Sequence, residues 1–215
     1  MVAAQDELQA RGELKSHATL QAHNKSQAHG ELPSQDELPS QGELPSQGEL
    51  PSQGELRILG IDPGLANCGW GVISLVGQRL CALAYGSIHT KAEDSTPTRL
   101  GHIFSEIQNV IQHYAPTELG IETVYQKGNA KSAMATSEAR GAALAAASSC
   151  KVTVGEYAPS LIKKNVVGQG SATKEQVQYM VRAILELDHT PQPDHAADAL
   201  AAAICHAHSR VAYKV

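Results

Sequence analysis

Four side chains in three separated blocks of the sequence have types and spacings that suit metal-assisted hydrolysis. Asp62 ends an apolar, strand-like run and is followed by Pro-Gly, where proline lacks the N–H that a strand needs and glycine accepts a turn conformation. Glu122 ends a second apolar run in the same way. His195 and Asp198 stand three residues apart, so a helix places them on one face. Three carboxylates and an imidazole that converge can hold two divalent cations about 3.5–4 Å apart, an arrangement that hydrolyses phosphodiesters.

Each of these residues also has an ordinary structural interpretation, so the metal-site hypothesis depends on their convergence. An Asp before Pro-Gly is commonly a turn residue, and Glu122 fits an exposed strand end. His195 and Asp198 fit the solvated first turn of a helix, where acidic groups interact favourably with the helix dipole. Asp194, just before them, is expected to cap that helix.

The elements that must position these side chains begin at residue 57. Three strand patterns joined by short glycine-containing turns predict an antiparallel meander, and two further strands alternate with helices. This order predicts an α/β domain with a five-stranded mixed sheet covered by helices. His206 and His208 close the last helix, where we expect them to interact with its dipole and not to bind metal. The predicted strands are 57–61, 69–76, 80–89, 118–124 and 151–157, and the predicted helices are 98–114, 130–149, 159–166, 173–187 and 194–209.

Residues 1–56 differ in composition from the rest of the chain. From residue 30 the hexapeptide Gly-Glu-Leu-Pro-Ser-Gln repeats, with Asp36 replacing one glycine. A proline every six residues interrupts helices and strands, and one leucine per repeat buries too little apolar surface to offset the ordering entropy. We therefore predict a disordered tail over 1–56 and a folded domain over 57–215. Because no methionine lies between Met1 and Met134, one hypothesis is that translation starts near Leu56 at a non-AUG codon, which would make the tail a start-site artefact.

The negative charge of the chain is concentrated in that tail. Residues 1–56 carry three basic and nine acidic residues, whereas residues 57–215 carry fourteen basic and thirteen acidic ones. The predicted domain is therefore nearly neutral, unlike a typical strongly basic nucleic-acid-binding domain. Any binding of a polyanion must use a local basic patch.

The sequence carries no signal for export or membrane insertion. The four cysteines have no metal-site spacing, so we expect reduced, structural thiols. The N-terminal residues lack the basic and apolar regions of a signal peptide, and no apolar run is long enough to span a bilayer. These features predict a soluble cytoplasmic protein with no membrane contact.

Further sequence blocks accompany the candidate ligands across about residues 57–210. They are Ile58-Leu-Gly-Ile-Asp-Pro-Gly64, Gly69-Trp-Gly-Val72, Ile121-Glu122, Ala139-Arg-Gly141, Val166-Val-Gly-Gln-Gly-Ser-Ala172 with Lys174, and Ala196-Ala-Asp-Ala-Leu200 before Cys205-His206. In this order the blocks resemble the RuvC-type Holliday junction resolvases. The resemblance implies an RNase H-like fold with helices on both faces of the sheet, a homodimer, and Mg²⁺-dependent symmetric nicking of four-way DNA junctions. It also implies association with the RuvA–RuvB branch-migration machinery.

By position in this resemblance, Asp62, Glu122 and Asp198 match the family's metal-binding acids. The fourth position falls three residues before the last acid, at His195, and a shifted helix start would make Asp194 the ligand instead. We favour His195, because the ungapped run that follows it sets the register. The resemblance implies two Mg²⁺ ions per site. We expect Mn²⁺ to support activity relatively better here, because imidazole suits softer ions.

The same resemblance indicates residues that contact DNA. Tyr125 matches an aromatic residue at the junction centre, where a ring can stack on an unpaired base, and Lys127 lies in the same basic loop. Lys163 and Lys174 match basic positions beside the cleft, near the scissile phosphates, and Lys164 extends that patch. Without the resemblance, Tyr125 also fits a half-buried loop residue, and the lysines fit an ordinary solvated surface.

Other functional classes compete with the metal-dependent resolvase. An actin-like or sugar-kinase-like ATPase also begins with an apolar strand and an Asp-x-Gly loop, but the folded part is too short for its two lobes. An RNase H-like RNA-processing nuclease shares the first block but not Ile121-Glu122 followed by a basic, aromatic loop. A non-catalytic junction-binding protein would not need converging acids. We therefore predict a structure-specific endonuclease that leaves 5′-phosphate and 3′-hydroxyl ends.

Overall fold

The computed structural model describes residues 51–52, 54–123 and 130–210. These residues form five strands and five helices in the order that the sequence predicts. The strands are β1 (Glu55–Asp62), β2 (Asn67–Val76), β3 (Arg79–His89), β4 (Glu118–Glu122) and β5 (Thr153–Tyr157). The helices are α1 (Thr96–Tyr114), α2 (Ala130–Ser149), α3 (Pro159–Val167), α4 (Lys174–Ile184) and α5 (Asp194–Ser209).

The five strands form one mixed sheet in the order β3-β2-β1-β4-β5. The first three strands pair antiparallel, as the predicted meander requires, whereas β4 runs parallel to β1, and β5 parallel to β4. Ile61 of β1 pairs with Ile121 of β4. The next residue in each strand is an acid, so Asp62 and Glu122 leave the same edge of the sheet side by side.

Helices cover both faces of the sheet, which confirms the predicted α/β architecture. α1 and α2 pack on one face together with Leu59 and Ile61 of β1. α3, α4 and α5 cover the other face, which receives Ile58. Successive strand residues face opposite sides, so β1 supplies apolar side chains to both cores and its sequence is an almost continuous apolar run.

α5 is buried over most of its length, and its buried residues are mainly alanines. It packs against β1, β2 and β4, so it crosses the centre of the sheet. This central position brings its first turn to the edge where Asp62 ends β1. Among the described residues, no helix is both long and apolar enough to cross a bilayer.

α4 illustrates how local sequence sets a helix boundary. Thr173 caps its start, and Gln176 completes the predicted capping box by accepting the backbone N–H of Thr173. The helix ends at Ile184 and not at residue 187, because Glu186 adopts a left-handed backbone conformation that α-helix cannot accommodate.

A predicted cap and other predicted bounds also differ from the structure. The expectation that Asp194 caps α5 is wrong, because Pro193 occupies the cap position and Asp194 is the first helical residue. Glu55 and Leu56 belong to β1, two residues before the predicted domain boundary. Residues 1–50 and 53, which hold most of the predicted tail, and residues 124–129 lie outside the described residues.

Candidate active site

Asp62, His195 and Asp198 converge at one edge of the sheet. One ligand atom from each residue lies within 4.8 Å of the others. Asp62 ends β1, and the other two side chains come from the first turn of α5. The Nδ1 atom of His195 lies 2.8 Å from Oδ2 of Asp62. Two segments separated by more than half of the chain therefore build one cluster. We call these three residues and the neighbouring Glu122 the acidic cluster.

Among the described residues, Glu122 is not one of the three whose ligand atoms lie within 4.8 Å of one another. Its carboxyl group is nevertheless affected by the charges of Asp62 and Asp198. Its pKa rises to about 7 because the carboxyl group is buried and because Asp62 and Asp198 lie nearby, while Lys163 opposes the shift. Burial, followed by the charge of Asp62, also raises the pKa of Asp198. Converging carboxylates repel one another, and a cation bound between them would relieve this repulsion.

The donor set suits divalent cations. Carboxylate oxygens are the hard ligands that Mg²⁺ prefers, and an imidazole nitrogen is also acceptable to Mn²⁺. Burial, together with the charge of neighbouring carboxylates, raises the pKa values of Glu122 and Asp198, and a bound cation would favour their ionised forms. The hydrogen bond with Asp62 raises the pKa of His195 in spite of partial burial, so a metal ion would compete with a proton for this imidazole. The residues present therefore fit the divalent cation that the sequence predicts.

Lys174 and Asp194 form a charged pair at the rim of the acidic cluster. The Nζ atom of Lys174 lies 3.2 Å from Oδ2 of Asp194 and 3.2 Å from Oδ2 of Asp198. The other carboxylate oxygen of Asp194 accepts a hydrogen bond of 3.0 Å from Nε2 of Gln178. Asp194 thus faces α4, and the register of α5 turns His195 toward Asp62 instead. This geometry brings His195, and not Asp194, beside Asp62.

The remaining predicted DNA contacts are described only in part. Lys163 is half-buried on α3 and acts on the carboxyl group of Glu122, which places it at the acidic cluster. Lys164 follows it and is exposed. Tyr125 and Lys127 lie outside the described residues.

A cleft of about 580 Å³ opens beside His195. It lies between the loop after β1, the start of α1 and the first half of α2, and it includes Asn67, Arg99 and Lys131 in its lining. The Arg99 side chain is held by a hydrogen bond of 2.8 Å from its Nε to Oγ1 of Thr90. Sequence reasoning did not single out Asn67 or Arg99. The signals available were a polar residue shortly after the Pro-Gly turn and a basic residue on the polar side of an amphipathic helix.

Comparisons with known proteins agree with this geometry. A family model described as crossover junction endodeoxyribonuclease RuvC matches residues 58–206. The crossover junction endodeoxyribonuclease RuvC of Heliobacterium modesticaldum is 49% identical over 152 residues, which cover 71% of this chain and 94% of the relative. The protein of the same name from Treponema denticola is 52% identical over 147 residues, which cover 68% of this chain and 83% of the relative.

Solved structures extend the comparison to the fold. Thermus thermophilus RuvC in complex with Holliday junction substrate has a TM-score of 0.69 and 33% identity, and the match covers 73% of this chain and 96% of that one. The yeast mitochondrial Holliday junction resolvase Ydc2 shares the fold with a TM-score of 0.53 and 13% identity, over 76% of this chain and 82% of that one. These likenesses confirm the RNase H-like fold. Because the family match spans both β1 and α5, and so both halves of the acidic cluster, this chain belongs to the crossover junction endodeoxyribonuclease RuvC family.

Proposed function

We propose that this chain resolves four-way DNA junctions by metal-dependent hydrolysis of two symmetry-related phosphodiesters. The observation that carries the proposal is the meeting of Asp62, His195 and Asp198 within 4.8 Å, beside the buried carboxyl group of Glu122, in a member of the RuvC family. The proposed products carry 5′-phosphate and 3′-hydroxyl ends, which a ligase can seal. Family membership does not favour the ATPase, RNA-processing or non-catalytic alternatives.

The four residues of the acidic cluster would hold two Mg²⁺ ions, with Mn²⁺ as a substitute. When bound, these cations supply activation of a water molecule and stabilisation of negative charge at the scissile phosphate. His195 must be neutral to serve as a ligand, and it could then bind through Nε2 while Nδ1–H donates to Asp62. Glu122, whose pKa is about 7, must be ionised. In this proposal no side chain forms a covalent bond to DNA.

The lysines around the acidic cluster are proposed to contact phosphates beside the scissile bond. Lys174 already lies against Asp198, so a small movement of its flexible side chain would reach a phosphate bound there. Lys163 lies on the Glu122 side of the cluster, and the exposed Lys164 extends the same patch. Loss of any one of these lysine contacts to phosphate should weaken DNA binding and reduce the salt dependence of that binding.

The proposed substrate and partners follow from the chemistry of symmetric cleavage. Thermus thermophilus RuvC has been solved with Holliday junction substrate, and we extend that substrate class to this chain. A homodimer would present two identical sites related by a two-fold axis, as two symmetric cuts require. Tyr125 would stack on a base at the junction centre, and Lys127 would contact the backbone there. Association with a RuvA–RuvB complex and action in the cytoplasm complete the proposal.

The decisive experiment uses the purified chain and a synthetic, mobile four-way junction with Mg²⁺ or Mn²⁺. We expect paired nicks from the wild type, none from Asp62→Asn, and junction binding by both proteins. Asp188→Asn is the matched control, because Asp188 is exposed and lies beyond the far end of α4 from the acidic cluster. Absence of metal-dependent nicking by the wild type, or undiminished nicking by Asp62→Asn, would refute the proposal.

A further inference from the structure

Four glycines form a straight row across the sheet beneath α5. Gly71 of β2 pairs with Gly60 of β1, which pairs with Gly120 of β4, which pairs with Gly155 of β5. Each glycine lies in a different strand, and the row runs perpendicular to the strands over three strand spacings, about 14 Å. The sheet therefore presents a groove without side chains along the path of α5.

α5 lies directly in this glycine row. A Cβ atom added at Gly60 would overlap the carbonyl oxygen of Ala199, and one added at Gly120 would come within 2.6 Å of the carbonyl oxygen of Ala202. At Gly155 the added atom would lie 2.5 Å from Nδ1 of His206. Real Cβ atoms do not approach other heavy atoms so closely, so the backbone of α5 is almost in contact with the backbone of the sheet.

Close contact alone does not set the rotation or the axial position of α5. Its sheet-facing side is mostly alanine, and Leu200, whose side chain fills the space over Gly71, is the large side chain that interlocks with the glycine row. The acidic cluster depends on both the rotation and the axial position of α5, because Asp62 and Glu122 come from the sheet whereas His195 and Asp198 come from α5. A further contact, away from the acidic cluster, adds to this packing.

A buried polar chain supplies that contact at the other end of α5. The hydroxyl of Tyr157, on β5, lies 2.8 Å from Nδ1 of His206, and Nε2 of His206 lies 2.8 Å from Oε2 of Glu118, on β4. Arg210 donates two hydrogen bonds of 2.8 Å to the same carboxylate. We call these four residues the anchor network. The predicted dipole interaction does not account for these contacts of His206, whose side chain is buried and bonded at both ring nitrogens.

The proton positions in the anchor network follow from its partners. Burial lowers the pKa of His206 despite its hydrogen bond to Glu118, so the ring is neutral at neutral pH. Hydrogen bonds from Arg210 and His206 overcome burial and keep the pKa of Glu118 below its ordinary value. The carboxylate can only accept, so Nε2–H of His206 donates to it, and the hydroxyl of Tyr157 donates to Nδ1. A partly buried hydrogen-bonded chain with these fixed donors and acceptors favours one geometry.

Tyr157 connects the anchor network to the sheet half of the acidic cluster. Its backbone pairs with Glu122 in the β4–β5 register. Its side chain reaches back over Gly155, which explains why an added Cβ at Gly155 would also lie 2.5 Å from the Tyr157 hydroxyl. Tyr157 thus pairs with Glu122 through its backbone and bonds through its side chain to the helix that carries His195.

We propose that His206 is a positioning residue, which, through Tyr157 and Glu118, locks α5 on the glycine row so that His195 and Asp198 meet Asp62. The proposal rests on the proposed metal-dependent function. His206 lies eleven residues from His195, about 16 Å along the helix, so it cannot touch the substrate at the acidic cluster. A rotation of α5 by about 10° would move a ligand atom at a radius of about 5–6 Å by about 1 Å. A displacement of that size is enough to reduce the rate about 10²-fold.

The test measures Mn²⁺ binding to the full chain by the electron paramagnetic resonance signal of the free ion, so it does not depend on activity. Tyr157→Phe removes one hydroxyl and keeps the ring, and His206→Gln removes the imidazole. We expect Mn²⁺ affinity to fall by about 10–100-fold in His206→Gln, the range found when groups that orient metal ligands are changed. In Tyr157→Phe, which keeps the imidazole, we expect a smaller fall of about 3–10-fold. In the junction assay kcat should fall in the same order while KM stays within about twofold, because the DNA-contacting lysines are unchanged.

The matched control is Ile107→Val, a buried change in α1 on the opposite face of the sheet. It should lower the stability about as much as Tyr157→Phe and leave Mn²⁺ affinity within about twofold of the wild type. Wild-type affinity in both anchor variants, or an equal loss in the control, would overturn the positioning role alone. Failure of the wild type to bind Mn²⁺ would instead overturn the proposed metal site on which this inference rests.

Discussion

β4 and α5 each carry ionisable groups at both ends, and the two ends differ in how those groups are compensated. At the amino end of β4, hydrogen bonds from an arginine and a histidine lower the pKa of Glu118 although the group is partly buried. At the carboxyl end, burial and two nearby carboxylates raise the pKa of Glu122 to about 7. The histidines of α5 show the reverse trend. Burial lowers the pKa of His206, whereas a hydrogen bond to a carboxylate raises that of His195.

The difference shows what separates a structural from a functional use of the same residue types. In the anchor network the carboxylate of Glu118 is paired with Arg210 and both ring nitrogens of His206 are hydrogen-bonded within the chain, so the network stabilises the fold. In the acidic cluster the carboxylates outnumber nearby cationic groups, which destabilises the metal-free protein but prepares a site for external cations. Substitutions in the acidic cluster should therefore lower activity without lowering the stability of the metal-free protein, whereas substitutions in the anchor network should lower its stability.

The largest expected effect is on activity at the acidic cluster. Asp62→Asn should reduce kcat by about 10²–10³-fold, because one charged oxygen donor is lost from the group that stabilises the transition state. The same change removes negative charge facing Glu122 and Asp198, so the free energy of unfolding in EDTA should stay equal or increase. Junction cleavage and urea denaturation measure the two quantities. A metal-free variant clearly less stable than the wild type would break the comparison.

The matched pair Glu118→Gln and Glu122→Gln tests the two ends of β4 with one chemical change. Glu118→Gln should lower the free energy of unfolding by about 1–3 kcal/mol, because the buried His206 and the partly buried Arg210 lose their charged acceptor. Glu122→Gln should not destabilise the metal-free protein, since the pKa of Glu122 already lies near 7. Urea denaturation at pH 7.5 in EDTA compares the two. Equal destabilisation by both changes would contradict this account.

A smaller effect is expected in metal preference. His195→Asp replaces the nitrogen donor with oxygen, so the ratio of the Mn²⁺-supported to the Mg²⁺-supported cleavage rate should fall by at least about threefold. Asp194→Asn is the control, because Asp194 faces Lys174 and Gln178. An unchanged ratio in His195→Asp would count against His195 as a ligand. A fall in the control would make Asp194 the fourth ligand.

The smallest effect concerns pH dependence at the anchor network. The pKa of His206 lies below its ordinary value of 6.5 in the folded protein, so the unfolded chain takes up this proton first as the pH falls. Stability is therefore complete above about pH 6.5 and decreases as the pH falls toward the folded pKa. Tyr157, Glu118 and Arg210 face the ring, and of these only Glu118 titrates in acid, at lower pH.

His206→Gln should consequently make stability less dependent on pH between 5 and 7. The slope can change by no more than one proton, which is about 1.4 kcal/mol per pH unit. Thermal unfolding in EDTA at several pH values measures this slope. A slope identical to that of the wild type would show that His206 is not neutral in the folded protein.

Local sequence patterns were sufficient for most of the fold because their causes are local. Apolar runs that end at Asp62 and Glu122 predicted two strands, and the capping box at Thr173 predicted the start of α4. The family resemblance and the five-stranded mixed sheet are confirmed. The capping role of Asp194 was wrong, because the helix begins after Pro193 and the carboxylate finds Lys174 on another helix.

The glycine row and the anchor network had no recognisable signal along the chain. Gly60, Gly71, Gly120 and Gly155 each look like an isolated weak point in a strand, and they align only when the pairing register is known. A histidine near a helix end usually indicates a dipole interaction, and nothing local distinguishes His206 from His208.

The amino-acid sequence by itself determined which elements form and which side chains end them, because hydrophobic periodicity and turn chemistry act over a few residues. It thereby placed Asp62 and Glu122 at strand ends and His195 and Asp198 on one helix. Only the tertiary structure decided that α5 lies in a glycine groove across the sheet, with its far end held by the anchor network. Strand register and helix rotation depend on contacts between residues far apart in sequence, and those contacts bring the three ligand atoms within 4.8 Å.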